Sequence, residues 1–215
     1  MTRKYVVIGV LLIAAILLAT AICYPDLPSR IPRHWDIHGR INGYWPKWTL
    51  FVADPLIMIL TLAIFAVLPW LSPKQFEVDS FRTTSMQIML IILVIIAYVH
   101  VLILCAALSA NLSVNRALMG GICLGFALLG NLIGKVRRNF YLGIRTPWTL
   151  ANERVWNATH RFAAKTFFVS GLVGLLGAVV RAPFIFSLVA IGVGTLAPVL
   201  YSLVFYKQLE ARGEL

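Results

Sequence analysis

The run YVVIGVLLIAAILLATAIC, from Tyr5 to Cys23, contains no charged side chain. About 20 such residues wound into a helix cross the hydrocarbon core of a bilayer, where every backbone N–H and C=O must find its partner inside the segment. Three more runs of similar character follow, at about Thr49–Leu71, Met86–Leu108 and Ala117–Gly134. The block from Thr166 to Tyr206 is about twice a single span. Arg181 in its middle is costly in hydrocarbon, and Pro183 favours a helix start, so the block divides near Arg181–Phe184. The chain is therefore expected to be an all-α polytopic membrane helix bundle of about six transmembrane helices. The first run exceeds a signal-peptide core of about 7–15 residues and no small-x-small cleavage site clearly follows, so it is expected to be an uncleaved span.

Composition supports this class. The chain is 60% hydrophobic and 13% charged, with mean hydropathy +0.86. A soluble domain is about 45–50% apolar and about 25% charged. The strand-by-strand alternation of a membrane barrel is absent.

The net charge of +11 would suggest nucleic acid in a soluble protein. Here it sets orientation, and no direct nucleic-acid contact is expected. Six spans place thirteen basic residues on the face of the termini: Arg3, Lys4, Lys74, Arg82, the seven between Lys135 and Lys165, Lys207 and Arg212. The opposite face carries six: Arg30, Arg33, Arg40, Lys47, Arg116 and Arg181. The positive-inside rule then puts both termini in the cytoplasm. The chain divides into residues 1–48 (first span and extracytoplasmic loop), 49–134 (spans two to four) and 135–215 (an inner segment, spans five and six and a short tail).

Within the spans, Gly121 and Gly125, Gly130 and Gly134, and the series Gly171, Gly174 and Gly177 are spaced for close helix approach. These faces point to a tight pairing of the fourth and fifth spans, and would equally serve a homodimer. Pro198 is expected to kink or break the sixth span. His100, mid-way along the third span, reads as a structural hydrogen-bonding residue or a proton relay, with no acidic partner evident in the sequence. Asn131 is expected to cap or brace the segment after the fourth span. Asp54, before Pro55, suits a helix N-cap. Cys23, Cys105 and Cys123 have no metal-type spacing and read as packing residues.

Two segments are too particular to be plain connectors. The outer one, YPDLPSRIPRHWDIHGRINGYWPKW, mixes stiffening prolines, turn-permitting glycines and interface-loving Trp and Tyr. It is expected to form an ordered, hairpin-like cap and a recognition surface of aromatic faces with Arg33, Arg40 and Lys47. His34 and His38 do not fit a zinc-protease helix, because Trp35 stands where that motif needs Glu. No metal site and no cofactor are expected. The inner segment opens with Lys135, Arg137 and Arg138, which suit anionic headgroups. From Thr146 as N-cap and Pro147 at the first position, an amphipathic helix along the inner surface is expected, feeding the fifth span.

The inner stretch GNLIGKVRRNFYLGIRTPWTLANERVWNATHRFAAK resembles the signature of the SdpI family of bacterial membrane proteins, in its GN, N-x-x-x-G-[IL]-R-T-P-W-T-L, E-x-V-W and R-F elements. The outer loop resembles the small domain of unknown function that commonly precedes that signature. His34, Trp35, Gly39, Trp45 and Lys47 match it, Asn42 stands where aspartate is more usual, and His38 lies outside the pattern. The best-understood family member protects its cell from a secreted peptide toxin that collapses the proton gradient. When loaded with toxin, it also holds a soluble transcriptional repressor at the membrane. The resemblance implies a bacterial cytoplasmic-membrane protein for immunity and signalling. An extracellular peptide would meet His34, Trp35, Gly39, Trp45 and Lys47. A soluble repressor would meet Asn139, Gly143, Arg145, Thr146, Pro147, Trp148, Glu153, Trp156 and Arg161.

A small transporter or ion-coupled carrier is the alternative, although no internal repeat is evident. The chain is not expected to be an enzyme: HExxH and G-x-S-x-G motifs and paired intramembrane carboxylates are absent, and His160 with Glu153 is the nearest acid–base set.

Overall fold

In a computed structural model, residues 3–73, 78–108 and 113–215 are described; Lys74, counted above among the basic residues, lies outside them. The elements are α1 (Arg3–Cys23), a hairpin of β1 (Arg30–Trp35) and β2 (Ile41–Pro46), α2 (Ala53–Leu71), α3 (Arg82–Leu108), α4 (Val114–Ile133), a short α5 (Pro147–Ala151), α6 (Glu153–Val179) and α7 (Phe184–Ala211). Six of these helices, all but α5, are long and apolar enough to cross a membrane. The fold is the expected all-α polytopic bundle, with one two-stranded sheet among the described residues.

The helices form two groups. In the first, α1, α2 and α3 close around Ile16, Met58, Phe65, Met89 and Leu93, and the loop after α4 adds Val136 to the same core. In the second, α6 packs along both α4 and α7, and α4 links the groups by also packing on α3. The α4–α6 contact is made by backbone. A Cβ on Gly171 would stand 2.6 Å from the Ala127 nitrogen and 2.7 Å from the Cys123 oxygen. One on Gly130 would stand 2.6 Å from the Phe168 nitrogen. Each helix thus gives up a side chain where the other's backbone enters, which is how helices associate where lipid removes the hydrophobic drive. Gly121 and Gly125 do different work: they face Tyr98 and Ile95 of α3.

The α6–α7 block divides at the expected place. Arg181 takes a left-handed backbone conformation (φ +63°), and the Ala182 N–H reaches back to the Gly177 carbonyl at 2.8 Å. Pro198 does not break α7, which continues to Ala211.

The amphipathic stretch from Thr146 is realised in two pieces rather than as a helix of its own. The Asn152 side chain accepts from the Arg154 and Val155 N–H groups at 2.8 and 3.2 Å, so α6 starts at Glu153 and runs without interruption into the span. The face carrying Val155, Trp156, Thr159 and His160 is buried against protein, not laid on lipid.

Gly171→Ala should destabilise the protein by about 1–3 kcal/mol, the usual cost of overpacking. Gly192→Ala on α7, where an added Cβ meets nothing within 4 Å, should be neutral or mildly stabilising. Thermal unfolding of both variants in detergent distinguishes them; equal behaviour would contradict the backbone-contact account of α4 and α6.

Candidate functional site

The outer loop folds as an antiparallel hairpin with Ile31 opposite Trp45 and Pro32 opposite Tyr44, and with an irregularity around His34. Asp36 shapes its turn. Its Oδ1 accepts from the His38 and Arg40 N–H groups, both at 2.9 Å, and Gly39 supplies the positive φ of +82°. The Arg40 N–H above all, with that of His38, holds the Asp36 carboxyl below the usual carboxylate range. Asn115 of α4 donates to the Asp36 carbonyl at 2.7 Å and so ties the turn to the bundle. At the other end Ile31 is fully buried in a cluster with Leu27, Leu50, Ile103 and Leu104. Lys47 closes the base: its ammonium donates to the Tyr24 and Leu27 carbonyls at 3.0 and 3.1 Å and lies 4.3 Å from the centre of the Tyr24 ring.

Beneath the hairpin lies a buried polar chain. Arg33 of β1 grips Asp54 with both guanidinium arms, Nη1 to Oδ2 at 2.9 Å and Nη2 to Oδ1 at 2.6 Å. Asp54 Oδ2 also meets His100 Nδ1 at 2.8 Å. A carboxylate only accepts, so Nδ1 carries a proton. His100 Nε2 lies 2.7 Å from the Thr20 hydroxyl, whose proton is donated to the Ile16 carbonyl at 2.9 Å. His100 and Thr20 are completely buried, and Asp54 is 4% exposed. Above the guanidinium, 5.0 Å away, sits the ring of Trp45. One chain of contacts thus joins the hairpin, α2, α3 and α1.

Two readings of the sequence change here. Asp54 is not an N-cap: Val52 holds that position without a side-chain bond, and the Asp54 carboxylate is taken by Arg33 and His100. His100 does have an acidic partner, from another helix.

Beside this chain, a cleft of about 570 Å³ opens under the hairpin, lined by Arg33, Trp35, Ile37, Leu102, Leu118 and Phe184 among others. Trp35 faces this cleft, while Trp45 is 47% exposed.

At the opposite end of α2, the inner segment is locked by polar groups. The fully buried Asn139 donates to the Arg137 and Leu142 carbonyls at 2.7 and 3.0 Å and accepts from the Tyr141 and Leu142 N–H groups, both at 2.7 Å. Trp156 Nε1 donates to the Val136 carbonyl at 2.7 Å. The His160 ring stacks on Trp156 at 4.0 Å, and its Nε2 accepts from the Ile144 N–H at 3.0 Å. Nδ1 must then carry the proton it shares with the Trp156 carbonyl at 2.9 Å. Gly143, at φ +108°, allows the chain to pass over His160. Thr146 and Thr149 cap α5 reciprocally, and Thr146 Oγ1 contacts Ser202 of α7 at 3.1 Å. Tyr141 reaches the Leu71 carbonyl at 2.8 Å.

Comparison with known proteins now decides the family. Residues 135–202 match the model of the SdpI/YfhL protein family, and residues 11–59 match a domain of unknown function (DUF1648). The chain is 30% identical over 169 residues to the Immunity protein SdpI of Bacillus subtilis (strain 168), covering 78% of each chain. The protein belongs to the SdpI/YfhL family. No solved structure matches it.

In this SdpI/YfhL protein, residues 11–59 contain Thr20, Arg33 and Asp54, and residues 135–202 contain Asn139, Gly143, Trp156 and His160. Of the residues singled out in the inner segment, Asn139, Gly143, Thr146 and Trp156 build the loop, while Arg145, Pro147, Glu153 and Arg161 are exposed and Trp148 is partly so. Arg145 also donates to the Phe140 carbonyl. Asn131 is exposed on α4, and Asn139 is the asparagine that braces the loop that follows. His160 does not work with Glu153: one is buried against Trp156, the other exposed. In the hairpin, His34 meets the Asn42 side chain and His38 approaches Asp36. Among the described residues no group of three His, Cys, Asp or Glu converges. Sequence reading missed Thr20, the role of Asp54, Thr149 and Ser202. An acidic residue at the edge of one apolar run and a histidine inside another was the available signal for the Asp54–His100 pair.

Asp54→Asn should cost up to about 3 kcal/mol, because it strands a largely buried guanidinium. A double Arg33→Leu, Asp54→Leu variant should be more stable than Asp54→Asn. A thermal-unfolding cycle on these variants tests the pair; a double variant as unstable as the single would argue against ionic coupling.

Proposed function

We propose that this chain is a membrane immunity protein that resists or senses an antimicrobial peptide on the hairpin side. The hairpin faces out, both termini are cytoplasmic, and a soluble repressor is recruited on the other face. The family and the relative named for immunity support the coarse reading. The observation that carries the finer one is the Arg33–Asp54–His100–Thr20 chain. It anchors an aromatic, basic hairpin rigidly on the bundle. A rigid Trp-bearing surface over an apolar cleft with a cationic rim suits an amphipathic peptide, since aromatic anchors bury large area at low entropic cost. On the inner side, the Asn139–His160 lock holds Arg145 and Arg161 at the surface, as a protein-recruiting face requires.

Toxin-sensitive cells expressing the wild type should keep their membrane potential under challenge with a pore-forming peptide. Trp45→Ala removes exposed aromatic area and the ring over Arg33 but leaves both Arg33–Asp54 hydrogen bonds in place, and should lose protection with normal membrane levels. Lys47→Ala should also lose protection, by loosening the hairpin base. Arg145→Ala and Arg161→Ala should spare protection and abolish repressor recruitment. Full protection by Trp45→Ala would remove the hairpin from the capture surface.

A further inference from the structure

The groove between α3, α4 and α6 belongs to neither of the two surfaces above. Its volume is about 670 Å³, and it runs from Ser113 and Arg116, at the hairpin-side end of α4, down to Leu128 with Leu90 of α3 alongside. Its walls are apolar and open to the surroundings: Val94 is 51% exposed, Leu124 46% and Leu128 44%. Arg116 is the single charged residue among those lining it. It is exposed, and no acidic side chain pairs with it among the described residues.

We propose that this groove is a specific phospholipid site, with one acyl chain lying along α4 and the lipid phosphate held by Arg116. The dimensions agree. From Arg116 to Leu128 the helix rises about 18 Å, and half of a hydrocarbon core of about 30 Å is about 15 Å. A chain from the hairpin-side leaflet, beginning at the level of Arg116, ends within the groove. The charge also agrees: an apolar trough with a guanidinium at one end complements an amphiphile with a hydrocarbon tail and an anionic head, and guanidinium binds phosphate oxygens in pairs.

The occupant is lipid rather than a helix from a second copy. A helix docks on small-xxx-small faces by close backbone approach. Gly121 and Gly125, which would form that face, are already covered by Tyr98 and Ile95, and the Tyr98 hydroxyl is fixed to the Ala117 carbonyl at 2.7 Å. What remains open is Gly120, where an added Cβ would stand 3.8 Å from Leu175 and 3.9 Å from Ala178. The nearest atoms are side-chain carbons rather than backbone, and Gly120 lines the groove, so a larger side chain at this position takes up groove space.

The full chain, extracted into mild detergent from vesicles of phosphatidylcholine and phosphatidylglycerol in equal parts, provides the test. Native mass spectrometry counts the phospholipids that each chain retains. One retained phospholipid is expected for the wild type. Arg116→Ala should weaken retention about tenfold, the loss of one charged hydrogen-bonding contact, and Arg116→Lys should restore most of it. Gly120→Leu, with helicity unchanged by circular dichroism, should empty the groove. No retained lipid in the wild type, or wild-type retention in both Arg116→Ala and Gly120→Leu, would overturn the proposal. So would a wild-type dimer that Gly120→Leu converts to monomer, which would assign the groove to a second copy.

Discussion

The Asp54 carboxylate is the constraint from which the hairpin-side half of the molecule follows. A carboxylate buried at the rim of a bilayer is untenable alone; it needs opposite charge and a full set of donors. Arg33 supplies the charge and two of the donors, and His100 supplies the third. Arg33 can reach Asp54 only if the strand that carries it lies down on the bundle. A loop between the first two spans that could have been a mobile connector therefore becomes a fixed element. Trp45 over the guanidinium and Ile31 in its buried cluster complete the seal. Lys47, with its ammonium on two carbonyls, belongs to the same scaffolding.

At the other end of α2 the difficulty is backbone rather than charge. The segment from Lys135 to Thr146 is irregular, and irregular backbone near a membrane must have its polar groups satisfied by protein. Asn139 does most of this through four hydrogen bonds, and His160 and Trp156 take further groups. Much of the particular detail of this stretch is thus architecture. Its exposed arginines are presented by that architecture, and any partner would meet them already ordered.

The spans were legible in the sequence because apolar length alone decides them. The α6–α7 division was legible because Arg181 and Pro183 are costly inside a helix in lipid. The hairpin was partly legible, through its prolines, glycines and aromatics. The start of α6 was not: amphipathic spacing from Thr146 looks the same whether the apolar face meets lipid or protein, and only the Asn152 cap and the loop packed on Trp156 settle it. Asn131 and Asn139 are equally polar in sequence; the direction of each side chain separates a surface residue from a buried brace.

By itself, then, the sequence determined the class of fold, the number of spans and the point where the last two divide, and the two segments whose composition exceeds that of connectors. These depend on local quantities: apolar length, turn chemistry and charge distribution. Tertiary structure alone decided that Asp54 is a partner and not a cap, that His100 is paired, and that Gly121 and Gly125 face α3 while Gly130 and Gly171 admit backbone. Arg33, Asp54 and His100 stand 21 and 46 residues apart, and no local pattern relates them. They meet because a charge buried beside lipid must be matched wherever in the chain its partner lies.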